Sequence, residues 1–572
     1  MKQLPLKQLF QIFIFYLISI SGYAQNFNLK ITGTNAIENK IIDSLNYSPK
    51  HPNLKSLLYE IKNTSEKLAK KGFLDNKILE TKNISDSSYT SIIELNNRIK
   101  KIHIYIGINN QFSNLQKSGN DTIILPYEEV ENYLNQKIND AEKAGYALTK
   151  INLKNIRRKN LIIYADLNFK SEKKRDLNSI ILNYTNNTGK DIFPKGHLKQ
   201  LNKKYLNRTF NQETVKELYN EINNFEFITQ TKYPEILFTK DSTKIYAYIQ
   251  KRKANTFDGY IGFSNDEDKK LNLNGYVDIT LQNILHSGEE FSLYWKSDGN
   301  QQKTFNTKLE IPYIFNSSLG IKAQLNIFKQ DSTFQNTKTA IDLGYFVNYN
   351  SRIYIGYQST ESSDIQNINN ATISDYKNSY ITTSFDYKKT DIINNLFPKK
   401  ATLNLIFGYG KRNTNNNPET AESSKQFYTN INLSYNFELN EKNFININSQ
   451  NFYLNSKNYI SNELFRFGGM NSIRGFLENS LQANFSALIL TEYRYIPSKS
   501  LYVNSIIDYG LYQDLTTNTN QNKIKKLIGI GIGTGIQTAN GLLKITLTNG
   551  AENAGELQLY NTIINICYNV KF

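Results

Sequence analysis

From about residue 256 to the end, apolar and polar residues alternate over long runs. Leu271, Leu273, Val277, Ile279 and Leu281 share one parity; Asn272, Asn274, Asp278, Thr280 and Gln282 take the other. Phe427, Ile431, Leu433, Tyr435, Phe437 and Leu439 likewise alternate with Gln426, Asn430, Asn432, Ser434, Asn436 and Glu438. A period of two sends successive side chains to opposite faces of a strand. The runs last about 10 to 14 residues, the length a tilted strand needs to cross a bilayer and long for a soluble sandwich.

Eleven such strands are predicted near 256–264, 269–282, 288–298, 302–314, 318–330, 335–349, 352–360, 376–389, 398–411, 424–438 and 442–456. Five more follow near 482–495, 499–513, 525–538, 540–550 and 557–572. The total of sixteen is even, as a closed antiparallel barrel with both ends on one side requires. Connections also alternate in length. Leu285–Gly288, Asn316-Ser317, Asn348–Ser351, Asn440-Glu441, Ser498-Lys499 and Thr538–Asn540 are short, whereas Glu361–Asp375, Asn413–Ser424 and Gln513–Lys523 are long and polar. Short inner turns and longer outer loops are the asymmetry such a barrel shows.

Composition is consistent with this. Mean hydropathy is −0.52 and no run approaches the length of an apolar helix, which excludes a helical membrane protein but not a barrel. The 39 Tyr and 32 Phe suit strands and membrane interfaces. The net charge of +17 comes from dispersed lysines, and a secreted chain has little occasion to meet nucleic acid. Secretion is read from residues 1–24: Lys2 and Lys7, an apolar run from Leu9 to Ile20, then Gly22-Tyr23-Ala24 as a cleavage site. The alternative is an uncleaved anchor. The lone Cys567 forms no internal disulfide, and His51, His103, His197 and His286 lack ligand spacing, so no metal or other cofactor is expected.

Residues 25–253 repeat a smaller pattern. A strand opens each copy, at Phe27–Thr32, Lys101–Ile106 and Leu177–Tyr184. An amphipathic helix follows, carrying Leu54, Leu57, Leu58, Ile61 and Leu68; then Val130, Tyr133, Leu134, Ile138 and Ala141; then Val215, Leu218, Tyr219, Ile222 and Phe225. The first two helices stop at Gly72-Phe73 and Gly145-Tyr146; the third reads Asn224-Phe225. Two β-prone runs close each copy. The unit recurs about every 75 to 85 residues, the size of a small α+β module.

Inside the sixth outer loop lies Phe467-Gly468-Gly469-Met470-Asn471-Ser472-Ile473-Arg474-Gly475-Phe476, and the chain ends on an aromatic. Signal, modules, barrel, loop motif and terminal aromatic together resemble the BamA/TamA family of outer-membrane assembly proteins, over the whole mature chain. The modules resemble POTRA units (βααββ). The resemblance implies 1–24 signal peptide, 25–97, 98–172 and 173–253 as modules in the periplasm, and 254–572 as a 16-stranded transmembrane barrel of the bacterial outer membrane. It implies that the loop folds into the lumen, with Ile473, Arg474, Gly475 and Phe476 as its motif and Gly468 and Gly469 easing its path. Glu492 and Asp508, on lumen faces, match the carboxylates that hold it, although Arg494 could take Glu492 instead. Tyr568, Val570 and Phe572 resemble a C-terminal barrel signal.

By the same resemblance the modules receive unfolded outer-membrane protein clients by strand addition at a sheet edge; the alternative is a rigid stalk. Periplasmic, lipoprotein or inner-membrane proteins are the partners such modules would meet, and outer-membrane lipid surrounds the barrel. Three modules favour a TamA-like accessory factor. A secretion pore for one dedicated partner, and a passive channel or receptor, are the alternatives. No enzyme is expected. Gly529-Ile530-Gly531-Ile532-Gly533-Thr534-Gly535 has no following helix to cradle a phosphate and reads as the lumen face of a strand.

Overall fold

The computed structural model describes residues 26–107, 121–185, 193–265, 271–298, 302–366, 373–391, 394, 396–414, 423–516 and 523–572. The signal-like segment 1–24 and parts of the outer loops after Gln366, Thr414 and Thr516 lie outside them. The chain divides into two compact units, Met1–Asp176 with Thr209–Glu213, and Leu177–Arg208 with Thr214–Phe572.

The first unit holds two small α+β modules. One consists of β1 (Phe27–Thr32), α1 (Ala36–Asp43), β2 (Lys50–His51), α2 (Leu54–Lys70), β3 (Lys77–Ser85) and β4 (Ser88–Glu94). The other consists of β5 (Lys101–Tyr105), β6 (Thr122–Pro126), α3 (Val130–Lys143), β7 (Lys150–Lys159) and β8 (Ile162–Lys170). The Asn53 side chain caps α2 by accepting from the Ser56 N–H, and the chain leaves the helix through Gly72 at φ +99°. Leu57, Ile61 and Leu68 of α2 pack on Leu29, Ile31 and Ile93 of the sheet, so the periodicity of helix and strand meets in one core. In the second module the β-branched Thr122-Ile123-Ile124 run forms β6, antiparallel to β5.

The second unit opens with a third module: β9 (Ser179–Tyr184), α4 (Lys195–Tyr205), α5 (Gln212–Asn223), β10 (Ile228–Phe238) and β11 (Thr243–Lys251). In every module the opening strand lies parallel to the last strand, and the last but one forms an outer edge. Each of those edges loses register against its neighbour: between Ile78 and Glu80 on β3, Lys154 and Arg157 on β7, and Gln230 and Lys232 on β10. Such bulges twist an edge and leave residues unpaired.

Sixteen antiparallel strands then close into a barrel. They are β12 (Thr256–Asn265), β13 (Leu271–Gln282), β14 (Glu290–Asp298), β15 (Gln302–Ile311), β16 (Leu319–Gln330), β17 (Phe334–Asn348), β18 (Ser351–Asp364), β19 (Tyr376–Thr390), β20 (Lys399–Thr414), β21 (Ser423–Asn440) and β22 (Asn443–Asn455), followed by β25 (Phe485–Ser498), β26 (Leu501–Gln513), β27 (Lys525–Gln537), β28 (Gly541–Ala551) and β29 (Ile563–Lys571). A hairpin of β23 (Phe465–Phe467) and β24 (Leu481–Ala483) lies within the loop between β22 and β25. The burial pattern is inverted relative to a soluble sandwich. Ile341, Leu343, Ile355 and Ile507 face outward and exposed, while Asp342, Lys322 and Asp508 are buried on the lumen side. An apolar band around a polar interior needs lipid as its solvent. No helix among the described residues is long and apolar enough to cross a membrane.

The third module is joined to the barrel's inner turns through an aromatic box. His197 on α4 packs edge-on against Phe225, Phe227 and Tyr313, with ring centroids 5.2, 5.8 and 4.7 Å away, and lies 5.7 Å from Tyr349. Both ring nitrogens are buried without a hydrogen-bond partner. Burial, and then the Arg352 guanidinium, push the imidazole down to about 3, so it is a neutral packing group at neutral pH. Gly288 fits against it because a Cβ there would lie 2.0 Å from the ring. Glu226 pairs with Lys388 at 2.5 Å and adds an ionic contact at the same joint.

Candidate functional site: an inward loop and a short seam

The loop of residues 456–484 runs inside the barrel rather than over it. Its motif arginine is buried and fully engaged. Arg474 Nε donates to Asp508 Oδ2 at 2.7 Å and Nη2 donates to Oδ1 at 2.5 Å. The Arg474 backbone N–H also donates to Oδ2, at 3.0 Å. Nη1 donates to Glu492 Oε1, and Nη2 reaches the Thr491 carbonyl at 3.3 Å. Asp508 lies on β26 and Glu492 on β25, so the forked guanidinium ties the loop to two adjacent strands. The planar fork matches a carboxylate with two parallel bonds, which a lysine cannot reproduce. Arg494 does not displace Arg474. It donates through Nε to the other oxygen of Glu492 at 2.7 Å, so one carboxylate serves both cations.

Small residues make room for this docking. Gly475 has φ +89°, and a Cβ there would sit 2.3 Å from the backbone of Asn549 and Gly550 on β28. A Cβ on Gly529 of β27 would meet the Arg474 carbonyl at 2.3 Å. The glycines of the 529–535 run face the lumen, and the first of them faces the loop. Ile473 is fully buried in a cluster with Phe467, Leu488, Leu490, Tyr512 and Leu527, against which Phe476 packs. Gly468 and Gly469, both at positive φ, carry the chain round the turn before Ile473.

Several contacts had no signal in the sequence. Glu478 pairs with Lys296 of β14 at 3.1 Å, and Gln450 Nε2 donates to the Asn471 carbonyl at 2.8 Å. Cys567, on the lumen side of β29, donates to Met470 Sδ at 3.3 Å. A further buried pair, Glu463 with Arg412 of β20, lies at the loop's other end. None belongs to the Ile-Arg-Gly-Phe motif, and each partner is distant in sequence. Two cavities flank the loop. One of about 630 Å³ is lined by Glu463, Phe465 and Arg466 of the loop and by wall residues such as Tyr380 and Asn378. The other, of about 610 Å³, is lined by Met470, Arg474 and Glu478 and by wall residues such as Lys544 and Cys567.

Where the barrel closes, pairing is short. β12 matches β13 over ten residue pairs, from Thr256↔Thr280 to Asn265↔Leu271, but matches β29 at two, Thr256↔Lys571 and Phe257↔Val570. One further backbone bond, Phe572 N–H to the Asn255 carbonyl at 3.0 Å, lies beyond them. Beyond Phe257 the two strands part, near Gly259 at φ +152°. The last strand remains fully paired on its other side, from Gly541↔Val570 to Thr548↔Ile563 on β28. Tyr568 and Phe572 turn outward beside this seam, and Val570 pairs across it.

The arrangement can do one kind of work. It offers unpaired strand edges facing lipid at the seam, and a lumen divided by a tethered strap. Among the described residues no acid–base or nucleophilic constellation is assembled.

Comparison with known proteins gives the same architecture. CdiB from Acinetobacter baumannii matches over 83% of this chain and 90% of its own at 14% identity, with a TM-score of 0.50, a likeness of fold. BamA from Haemophilus ducreyi lacking POTRA domains 1–3 matches over 82% of this chain and 99% of its own at 15% identity, with a TM-score of 0.48. CdiB from Escherichia coli matches over 90% of this chain and 98% of its own at 12% identity, with a TM-score of 0.48. A search of curated proteins finds no match. The model of one family spans residues 244–536, just over half the chain and most of the barrel. The protein is thus an outer-membrane barrel of the Omp85 type. The narrower BamA/TamA assignment is not what the family model returns: the chain belongs to the haemolysin secretion/activation protein family, ShlB/FhaC/HecB.

Proposed function

We propose that this barrel inserts protein clients into the outer membrane through the seam between β12 and β29, as a TamA-like accessory factor. The observation that carries the reading is the two-pair closure. A client strand could pair with the exposed edge of β29 above Val570, extend the sheet, and leave into lipid as it folds. Client folding would drive the step, since no nucleotide is available outside the cytoplasm. Arg474, held by Asp508 and Glu492, keeps the strap in the lumen while the wall opens. The modules, bounded near residues 97, 172 and 253, would receive clients at their sheet edges; three copies favour an accessory role.

A second reading is export of one dedicated partner through the lumen, and the family assignment supports it. The two differ in what depletion does. Loss of the protein should lower several barrel proteins in the outer-membrane proteome if it inserts them. It should strand a single protein in the periplasm if it exports. A change in permeability alone would leave only a passive channel. The seam is tested separately by Phe257→Cys with Val570→Cys in a Cys567→Ser background. Oxidation should stop insertion and reduction should restore it; full insertion by the oxidised protein would refute the lateral route.

A further inference from the structure

Two of the strap's tethers are not alike. At Arg474 every guanidinium nitrogen has a partner, as does the backbone N–H. At the other end Asn462 and Glu463 dock on the wall between β17 and β21. Asn462 Nδ2 donates to Ser362 Oγ of β18 and to the Ser374 carbonyl, both at 2.8 Å, and its own carbonyl accepts from Asn336 of β17 at 2.6 Å. Glu463 takes Arg412 Nη1 and, at 2.8 Å, Gln426 Nε2 of β21.

The second tether is buried but incompletely satisfied. Arg412 Nε, Asn462 Oδ1 and Asn336 Oδ1 are all enclosed without a partner. A low-dielectric surround strengthens each bond that is made, and makes each orphan costly. The Arg412–Glu463 tether thus holds orphaned polar atoms even when closed, while the Arg474 site is fully satisfied and its opening would strip the buried Asp508 of its cation, Glu492 keeping Arg494.

We propose that Glu463 is a latch and Arg474 a hinge: the strap releases from Arg412 and Asn336 first and pivots about the Arg474 anchor. This goes beyond the proposed insertion or export, because it concerns how the lumen opens whichever client is moved. Glu463 and Arg466 line one cavity, whereas Met470 and Arg474 line the other. Asp278 and Tyr294 line both cavities, and unlatching would widen their meeting into a passage across the barrel while the strap stays attached to β25 and β26.

The test is single-channel recording of the purified full chain in planar bilayers, with heat-modifiable migration confirming a folded barrel for each variant. Glu463→Gln keeps shape but removes the charge, and should raise open probability about tenfold, the scale of one charge-assisted hydrogen bond. Two cross-links then assign the order. Asn462→Cys with Ser362→Cys, in a Cys567→Ser background, locks the latch. Met470→Cys with the native Cys567 locks the hinge side. The latch lock should abolish openings and the hinge lock should leave them. If both locks abolish openings, or only the hinge lock does, the order is wrong. If neither lock does, or if Glu463→Gln opens no more than wild type, the latch is refuted.

Discussion

At the scale of single residues, much of the site rests on geometry that one guanidinium can satisfy and few other groups can. Arg474→Lys keeps the charge but loses the two parallel bonds to Asp508 and the reach to Glu492. The expected cost is about 3 kcal/mol of loop docking, in the range for breaking a buried pair. Limited proteolysis of folded barrels should show residues 456–484 cut far faster than in wild type. An unchanged rate would mean that the other tethers hold the loop unaided. Part of this was legible in the sequence. Glycine-flanked Arg474 stood out as a motif, and the parity of the strands put Glu492 and Asp508 on the lumen side. The rest was not. Arg412 ends a strand among polar neighbours, and Glu463 sits in an ordinary loop tripeptide. Only the path of the strap across the lumen brings these residues, 51 positions apart, into contact.

At the scale of elements, strand number and parity followed from the period of two, whereas the quality of each pairing did not. β12 and β29 each read as ordinary amphipathic strands. Alternation says which face a residue takes, not how far two strands run side by side. Their short overlap makes a prediction for hydrogen exchange. Amides of β29 that face β12 between Ile563 and Asn569 should exchange about a hundredfold faster than amides of β26, which is paired on both sides. Uniform protection along β29 would show a closed seam and remove the basis for lateral insertion. The modules were legible as units for a simpler reason: a helix period next to a strand period leaves one apolar face on each, and those faces must meet. Their bulged outer edges were not foreseen: an extra residue shifts the alternation by one, and in strands this short the shift reads as plain irregularity.

At the scale of the molecule, the third module and the barrel share a joint built around a histidine with no polar partner. Burial holds the folded-state pKa of His197 near 3, below its unfolded value of about 6.5. The unfolded chain therefore binds more protons between those values. The joint is fully stable above about pH 6.5 and loses stability as pH falls toward 3. His197→Phe keeps the ring stacked among Phe225, Phe227 and Tyr313 and removes the titration. Thermal unfolding measured from pH 7 to 4 should show a smaller fall in Tm for that variant than for wild type. An equal fall would place the acid sensitivity elsewhere, in the carboxylates of the wall.

The distribution of the strap's tethers has a mechanical meaning. Through Glu478, Asn462, Glu463, Arg474 and Gly475 the loop touches β14, β17, β18, β20, β21, β25, β26 and β28. A tube spoked unevenly does not flatten evenly when squeezed. Lateral pressure from the bilayer would be borne by the braced arc and would concentrate as shear where the wall is least paired, between β12 and β29, so the membrane itself would set how readily the wall yields.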